Sequence, residues 1–179
     1  MESNLEKLLI GDCNTTISVC DSGGKPKPLF QENIFGRFLR HCGFNLTIPG
    51  ITGWRSFTQR SHNLITDSGH NVVALALGGN NAAPRIAIGS GNTSPTAADT
   101  GLESLVAQMY ATNNPLAAIT TTNTPNDTVN IVAAFSMTVA ASIGEESIQY
   151  GGNMLARQTF TPFTVAVGDI VNVAHSVVC

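Results

Sequence analysis

The sequence predicts a mainly β protein: an antiparallel β-sandwich or jelly-roll-like domain with one or two short helices and an extended N-terminal arm. Three observations predict this fold. Apolar and polar residues alternate in the C-terminal half, Gly and Pro punctuate that half, and the first third is rich in loop residues. A chain of 179 residues can also bury one substantial core. We therefore predict an arm or attachment region over residues 1–62 and a β-sandwich domain over residues 63–179.

The N-terminal third alternates between amphipathic and polar stretches. Leucines at helical spacing predict a short helix within residues 1–10. Residues 11–28 are polar and contain adjacent glycines and two prolines, which predicts a loop or an extended arm. The apolar residues of 30–39 have roughly helical spacing and predict one or two amphipathic turns. Residues 44–48 are typical of a strand that ends at the following Pro-Gly pair.

The middle of the chain predicts a helix, a strand and a glycine-rich loop in that order. Thr66 or Asp67 is a suitable N-cap for a short apolar helix, which would end at the two glycines 78–79. Residues 85–88 form a compact apolar strand, and residues 89–95 are the Gly- and Ser-rich loop that follows it.

The C-terminal half has the clearest strand pattern. Residues 98–100 first resemble a second helix cap ahead of a short apolar stretch. Residues 129–139 then alternate between apolar and polar with a period of two, which is typical of a half-buried strand. Three further strands are predicted over residues 147–150, 154–160 and 170–178, with Gly or Pro between them.

The low charge density favours a subunit that assembles with other proteins. Charged residues make up 12% of the chain, about half of the roughly 25% usual in globular proteins. Dehydrating a surface of neutral hydrogen-bonding groups costs little free energy, because few unpaired charges are removed from water. The formal net charge of −3 argues against nucleic-acid binding. No apolar run long enough for a membrane span and no signal-peptide pattern is visible, so we expect synthesis in the cytoplasm and no membrane partner.

No catalytic or metal-binding constellation stands out in the sequence. The four histidines are dispersed, and the cysteines lack CxxC spacing. The glycine loop 89–91 lacks the third glycine of a dinucleotide fingerprint, since Ser94 stands there, and Ile88 replaces the first glycine of a nucleophile elbow. The adjacent carboxylates of Glu145 and Glu146 would point to opposite faces of a strand. We therefore predict no enzymatic activity, no cofactor and no metal.

Three of the four cysteines are candidates for disulfides between subunits. Cys13, Cys20 and Cys179 could form such bridges once the protein leaves the reducing cytoplasm. Buried thiols without any disulfide are the alternative, because cysteine is among the residues most often found in protein cores.

Four neighbouring residues are candidate interface anchors: Trp54, Arg55, Phe57 and Arg60. Aromatic and arginine side chains dominate the energetics of many protein interfaces. The alternative for Trp54 is a large side chain buried by a short strand.

Several short motifs follow one another in an ordered series that covers roughly Leu64 to Val178. In the first part they are N-L-I-T-D-S-G (63–69), R-I-A-I-G-S-G (85–91) and D-T-G-L (99–102). Near the end they are L-A-R (155–157), F-T-P-F (160–163), V-G-D (167–169) and V-N-V (171–173). This order resembles a recurrent pattern in small structural proteins of tailed bacteriophages. Residues 1–60 have no counterpart in that pattern.

The resemblance implies a non-enzymatic virion component, assembled in the cytoplasm of the host bacterium. It implies a capsid decoration or cement protein that binds and stabilises the major capsid shell. A neck, tail or tail-fibre component, including a receptor-binding one, is the alternative. The resemblance further implies a homo-oligomer, with a trimer favoured, and the major capsid protein or other virion proteins as partners.

Overall fold

The computed structural model describes residues 12–44, 46–69, 72, 83–110, 118–120 and 128–178. These residues contain twelve strands and the helix α1. In chain order they are β1 (Asp12–Cys20), β2 (Leu29–Glu32), α1 (Ile34–His41), β3 (Gly53–Ser56), β4 (Gln59–His62), β5 (Leu64–Ile65), β6 (Pro84–Gly89), β7 (Leu105–Tyr110), β8 (Ala118–Thr120), β9 (Thr128–Ser136), β10 (Ala141–Tyr150), β11 (Asn153–Val165) and β12 (Ile170–Val178).

Two five-stranded antiparallel sheets form the body of the protein. The first has the strand order β4-β1-β12-β9-β8, the second has the order β5-β11-β10-β6-β7, and a small sheet pairs β2 with β3. Buried apolar side chains from both large sheets join in one core, among them Ile17, Phe135, Val173, Ile86 and Ile148. The predicted mainly β, antiparallel sandwich is confirmed. The jelly-roll-like connectivity remains a prediction.

The two sheets differ in how far their outer faces are covered. In the first sheet, burial alternates residue by residue along β1 and β12, so one face is packed and the other is partly exposed. In the second sheet, β10 and β11 contain unbroken buried runs. Two segments contact the outer face of this pair. The loop over residues 90–104 bonds to Glu145 and Arg157. Arg40 of α1 bonds to Thr159.

The N-terminal region corrects one prediction. The sequence predicts a loop or extended arm over residues 11–28, but Asp12–Cys20 is a strand in the interior of the first sheet, paired with β12 along its whole length and with β4 on its other side. Every second residue of β1 points inward, as in any half-buried strand. Thr15 is one of these inward residues, and its polar side chain weakens the apolar pattern of the sequence. An extended arm is therefore not confirmed. The domain boundary after residue 62 remains a prediction, and the helix predicted over residues 1–10 lies outside the described residues.

Two predicted helix starts have different outcomes. Thr66 is an N-cap as predicted: the Gly69 N–H donates to its Oγ1 at 3.1 Å, and residues 67–69 are helical. The predicted end of that helix at 78–79 lies outside the described residues. The cap predicted at 98–100 is wrong, because the apolar stretch after it forms the strand β7.

Other predicted elements shift at their ends. The amphipathic turns of 30–39 become the strand β2 followed by α1, and residues 46–48 form no strand. The predicted strands at 147–150 and 154–160 are parts of the longer β10 and β11, and the strand at 170–178 is confirmed. β11 continues past Pro162, where its register with β10 is interrupted, so that no ladder hydrogen bond requires the N–H that proline lacks.

Candidate binding surface

Helix α1 presents its apolar side chains to solvent. Its N-terminus is capped by Asn33, whose Oδ1 accepts the Gly36 N–H at 2.8 Å. Gly36 is the only buried residue of the helix, whereas Ile34, Phe35 and Phe38 are 85%, 50% and 60% exposed. An amphipathic helix usually packs its apolar stripe on the core. Among the described residues, nothing covers this stripe.

The chain that follows the helix adds more exposed apolar side chains. Between the end of α1 and the start of β4, six large apolar residues are 42% to 61% exposed. Together with the three of the helix, we call them the apolar N-terminal surface: Ile34, Phe35, Phe38, Phe44, Leu46, Ile48, Ile51, Trp54 and Phe57. Large exposed apolar areas are uncommon on monomeric soluble proteins and typically mark interaction sites.

Hydrogen bonds hold the helix and the β3 portions of this surface together. The Asn33 N–H donates to the Thr52 carbonyl at 3.0 Å, and its side-chain amide donates to the Ile51 carbonyl at 2.8 Å. Gly36 lies so close to Thr52 that a Cβ at this position would overlap the Thr52 carbonyl oxygen. The glycine is therefore required by the close approach of two backbone segments, and the exposed residues on both sides are presented by one packed unit.

Side chains of α1 and β4 cover an edge of the second sheet. β5 pairs with β11 only at Ala156 and Arg157, which leaves the later part of that edge without a neighbouring strand in the described residues. Arg40 donates to the Thr159 hydroxyl at 3.1 Å and to its carbonyl at 3.4 Å, while Gln59 donates to the Thr161 carbonyl at 3.4 Å. Side chains thus satisfy the edge carbonyls that a further strand would otherwise bind.

Arginine side chains surround the apolar N-terminal surface. From Asn33 to Thr66 the sequence contains no Asp or Glu, yet it contains four arginines. Arg40 pairs with Glu32 at 3.0 Å. In the described part of the chain, Arg37, Arg55 and Arg60 have no carboxylate partner. Any partner of this surface therefore gains from carrying negative charge.

The structure exposes all four sequence-predicted interface anchors. Trp54 lies in β3 and is 53% exposed, so that the alternative of a buried strand residue is wrong. Phe57 is 61% exposed, and Arg55 and Arg60 are also exposed. Their role at an interface remains a prediction.

The candidate disulfide cysteines lie in different surroundings. Cys13 is buried in the core next to β12, Cys20 is half-buried at the end of β1, and Cys179 lies outside the described residues. Cys13, Cys20 and Cys42 form no disulfide with one another. A bridge between subunits remains a prediction, and the burial of Cys13 makes Cys20 the more accessible of the two.

Sequence reasoning missed Arg37 and the outward orientation of α1. Helical spacing identifies an apolar stripe but not what covers it. The absence of acidic residues from 33 to 66 could have revealed this site, because all nine residues of the apolar N-terminal surface lie inside that interval.

Comparison of the chain with protein-family models, curated protein sequences and solved structures gave no match. Within the described ranges, no three His, Cys, Asp or Glu side chains gather into a metal site. No helix in those ranges is both long enough and apolar enough to span a bilayer.

Three carboxylates outside this surface have lowered pKa values. A hydrogen bond from Lys27 at 2.6 Å and one from the Ala166 N–H hold the pKa of Asp169 below its usual range. Burial raises the pKa of Asp99, but hydrogen bonds from Thr96 and Arg157 outweigh it and the net shift is downward. Hydrogen bonds from Thr93 and the Asn92 N–H lower the pKa of Glu103.

We predict that these carboxylates make the fold sensitive to acid. A carboxyl group whose pKa is lower in the folded than in the unfolded state stabilises the fold above its unfolded pKa, and this stabilisation is lost as the pH falls through the folded pKa. The melting temperature should be level above about pH 5 and should fall below about pH 4. Thermal melts at a series of pH values above and below these limits measure it, with Asp169→Asn as the variant that should show a weaker dependence. A melting temperature that stays constant on acidification would contradict the prediction.

Proposed function

We propose that this protein is a non-enzymatic structural protein of a tailed-bacteriophage virion, and that its apolar N-terminal surface attaches it to the major capsid shell as a decoration or cement subunit. The exposed apolar stripe of α1 is the observation that carries the proposal, because it needs a covering partner. The ordered motifs between Leu64 and Val178 and the low charge density support the same class of protein.

The surface is large enough to offset the cost of association. Burying a large apolar side chain that is already half-covered contributes roughly 1 kcal/mol. Nine such side chains together contribute about as much as the roughly 4–15 kcal/mol that association costs in lost freedom of motion. The binding free energy is then a small difference between two similar quantities. Loss of two of its aromatic residues should therefore be enough to release the subunit.

The charge of the surface disfavours a symmetric contact with itself. In a two-fold interface the same patch meets its own copy, which would place Arg37 and Arg55 near their equivalents without any acidic residue between them. The partner surface is therefore a different one, with exposed carboxylates among apolar residues. The trimer in this proposal is compatible with that, because a cyclic trimer uses contacts between unlike patches.

We expect the double variant Phe38→Ser/Trp54→Ser to lose at least tenfold in affinity for particles that lack the protein. Both side chains are more than half exposed, so their loss should leave the fold intact. The matched control is Val139→Ser/Val167→Ser, which removes two equally exposed apolar residues outside the surface. Co-sedimentation with such particles measures binding, and circular dichroism verifies folding.

Imaging of the reconstituted particles tests where the subunit attaches. Copies on the capsid lattice agree with a decoration protein. Copies at the neck or tail would contradict the decoration role and would favour the tail-associated alternative. Wild-type affinity in the Phe38→Ser/Trp54→Ser variant would remove the apolar N-terminal surface from the proposal.

A further inference from the structure

Strand β3 is the outer strand of the small β2-β3 sheet. It pairs with β2 from Gly53 to Ser56, and within the described residues no strand pairs with its other side. The β2 side faces the body of the protein, because β2 also contacts β4 and β11. β3 therefore has one edge without a neighbouring strand, and the exposed side chains of Trp54 and Phe57 lie beside that edge.

The hydrogen-bonding pattern identifies the backbone groups that point out from this edge. Antiparallel strands alternate between residue pairs that exchange two backbone hydrogen bonds and pairs that exchange none. The Asn33 N–H donates to the Thr52 carbonyl at 3.0 Å, so these two residues form a bonded pair directly beyond the β2-β3 register. By alternation, the backbone of Trp54 bonds to β2, whereas the N–H and C=O groups of Arg55 point to the open side.

Arg55 is the position at which this edge is open. The Gly53 carbonyl also points outward, but it accepts the Gly50 N–H at 2.7 Å within the preceding turn. In the described part of the chain, nothing bonds to the Arg55 backbone on the open side, and its guanidinium has no ion pair. An added strand would therefore exchange two backbone hydrogen bonds with this residue.

Two neighbouring sheet edges are closed by side chains, in contrast to β3. Gln31 bonds to both backbone groups of Arg60 on the outer edge of β4: its Oε1 accepts the N–H at 2.6 Å, and its Nε2 donates to the C=O at 3.1 Å. On β11, Arg40 donates to the Thr159 carbonyl at 3.4 Å. Proteins cover sheet edges because an unpaired edge binds other strands. Arg55 has no such cover, so its edge is suited to receive a strand.

The surroundings of Arg55 determine which sequence an added strand requires. Residues directly opposite each other on one face of a strand pair interact, so the residue opposite Arg55 gains from a carboxylate. Its two neighbours point to the other face, where Trp54 is 53% exposed and favours apolar side chains. β3 of a second copy cannot supply the carboxylate, because no Asp or Glu lies between residues 33 and 66.

We propose that the partner contributes an extended segment that adds to β3 as a strand, with an acidic residue opposite Arg55 and an apolar residue on either side of it. This inference rests on the proposed attachment to the capsid shell and specifies how the apolar N-terminal surface is recognised there. The Arg55 backbone supplies two hydrogen bonds, its guanidinium pairs with the carboxylate, and Trp54 and Phe57 contact the apolar residues.

Two substitutions at Arg55 separate the backbone contribution from the charge. Arg55→Ala removes the guanidinium but keeps the N–H, whereas Arg55→Pro removes both. Proline is tolerated on an edge strand where its position donates no ladder bond. In co-sedimentation with particles that lack the protein, Arg55→Ala should bind about threefold more weakly than wild type. Arg55→Pro should bind at least about tenfold more weakly than Arg55→Ala. Circular dichroism verifies that both variants fold.

Hydrogen exchange gives a second measurement, which decides the question if Arg55→Pro does not fold. Exchange in residues 53–57 of the wild type should slow on binding to the particles, because the Arg55 N–H gains an acceptor. Equal binding of the two variants, or unchanged exchange, would overturn strand addition and leave capsid attachment in place. A wild type that does not sediment with the particles would remove both proposals. Self-association of the wild type that Arg55→Pro abolishes would assign the edge to a second copy and would also overturn the inference.

Discussion

Replacing Glu145 with alanine is expected to lower the free energy of unfolding by about 3–5 kcal/mol, the usual cost of removing one partner from a buried ion pair. Its carboxylate is fully buried. Oε1 accepts the N–H groups of Gly91 and Ser104 at 2.9 and 2.8 Å, and Oε2 accepts the Glu103 N–H at 3.1 Å. Arg157 adds two further bonds to Oε2, at 3.0 and 2.8 Å.

The variant would leave several groups without compensation at once. The Arg157 side chain is only 4% exposed and would keep Asp99 at 2.6 Å and the more distant Glu103 at 3.9 Å. Three backbone N–H groups of the loop over residues 90–104 would also lose their acceptor. We therefore expect this loop to detach from the outer face of β10 and β11.

Urea denaturation of the wild type and Glu145→Ala measures the effect. The control is Glu103→Ala: that carboxylate is 47% exposed, so its loss should cost much less stability than the loss of Glu145. Equal stability losses in the two variants would contradict the role assigned to the buried carboxylate. Amide hydrogen exchange should also rise at Gly91 and Ser104 in Glu145→Ala alone.

The same contacts explain the glycine loop that resembles a phosphate cradle. Backbone N–H groups around Gly91 do bind an anion, but the anion is the chain's own Glu145 carboxylate. A Cβ at Gly89 or Gly91 would lie within 2.6 Å of the Glu145 Oε1, so that only glycine fits at both positions. The sequence shows the glycines. It cannot show that their partner comes from a strand more than fifty residues later.

Strands whose burial follows the local sequence pattern were predictable, whereas elements whose burial depends on distant segments were not. β12 and most of β9 were predictable, because their burial alternates residue by residue and one face is solvated. β10 and β11 lose that pattern where both faces are covered, which is why Glu145 and Arg157 could not be recognised as buried. The exposure of α1 was equally hidden, since periodicity defines a stripe and leaves its covering partner undefined.

A second buried carboxylate occupies the opposite face of β10. Glu146 and His175 are both fully enclosed between the two sheets, with Glu146 Oε2 2.7 Å from His175 Nε2. This placement confirms that Glu145 and Glu146 point to opposite faces, and it buries His175 in the core. Asn63 donates to Glu146 Oε1 at 2.8 Å, and the Thr15 hydroxyl lies 2.9 Å from His175 Nδ1. The core thus contains a polar layer contributed by both sheets.

We expect Glu146→Leu and His175→Leu each to destabilise the protein by about 3 kcal/mol, because each leaves a buried polar partner without compensation. The double variant should be destabilised by at least about 1 kcal/mol less than the sum of the two, since removal of both partners leaves no unpaired titratable group. Glu146→Leu also removes the acceptor of the Asn63 amide, but that loss is present in both the single and the double variant and therefore cancels in the cycle. Chemical denaturation of the four proteins forms the complete double-mutant cycle. Strict additivity would mean that the 2.7 Å contact carries no coupling energy, and that the polar layer is tolerated in the core without linking the two sheets.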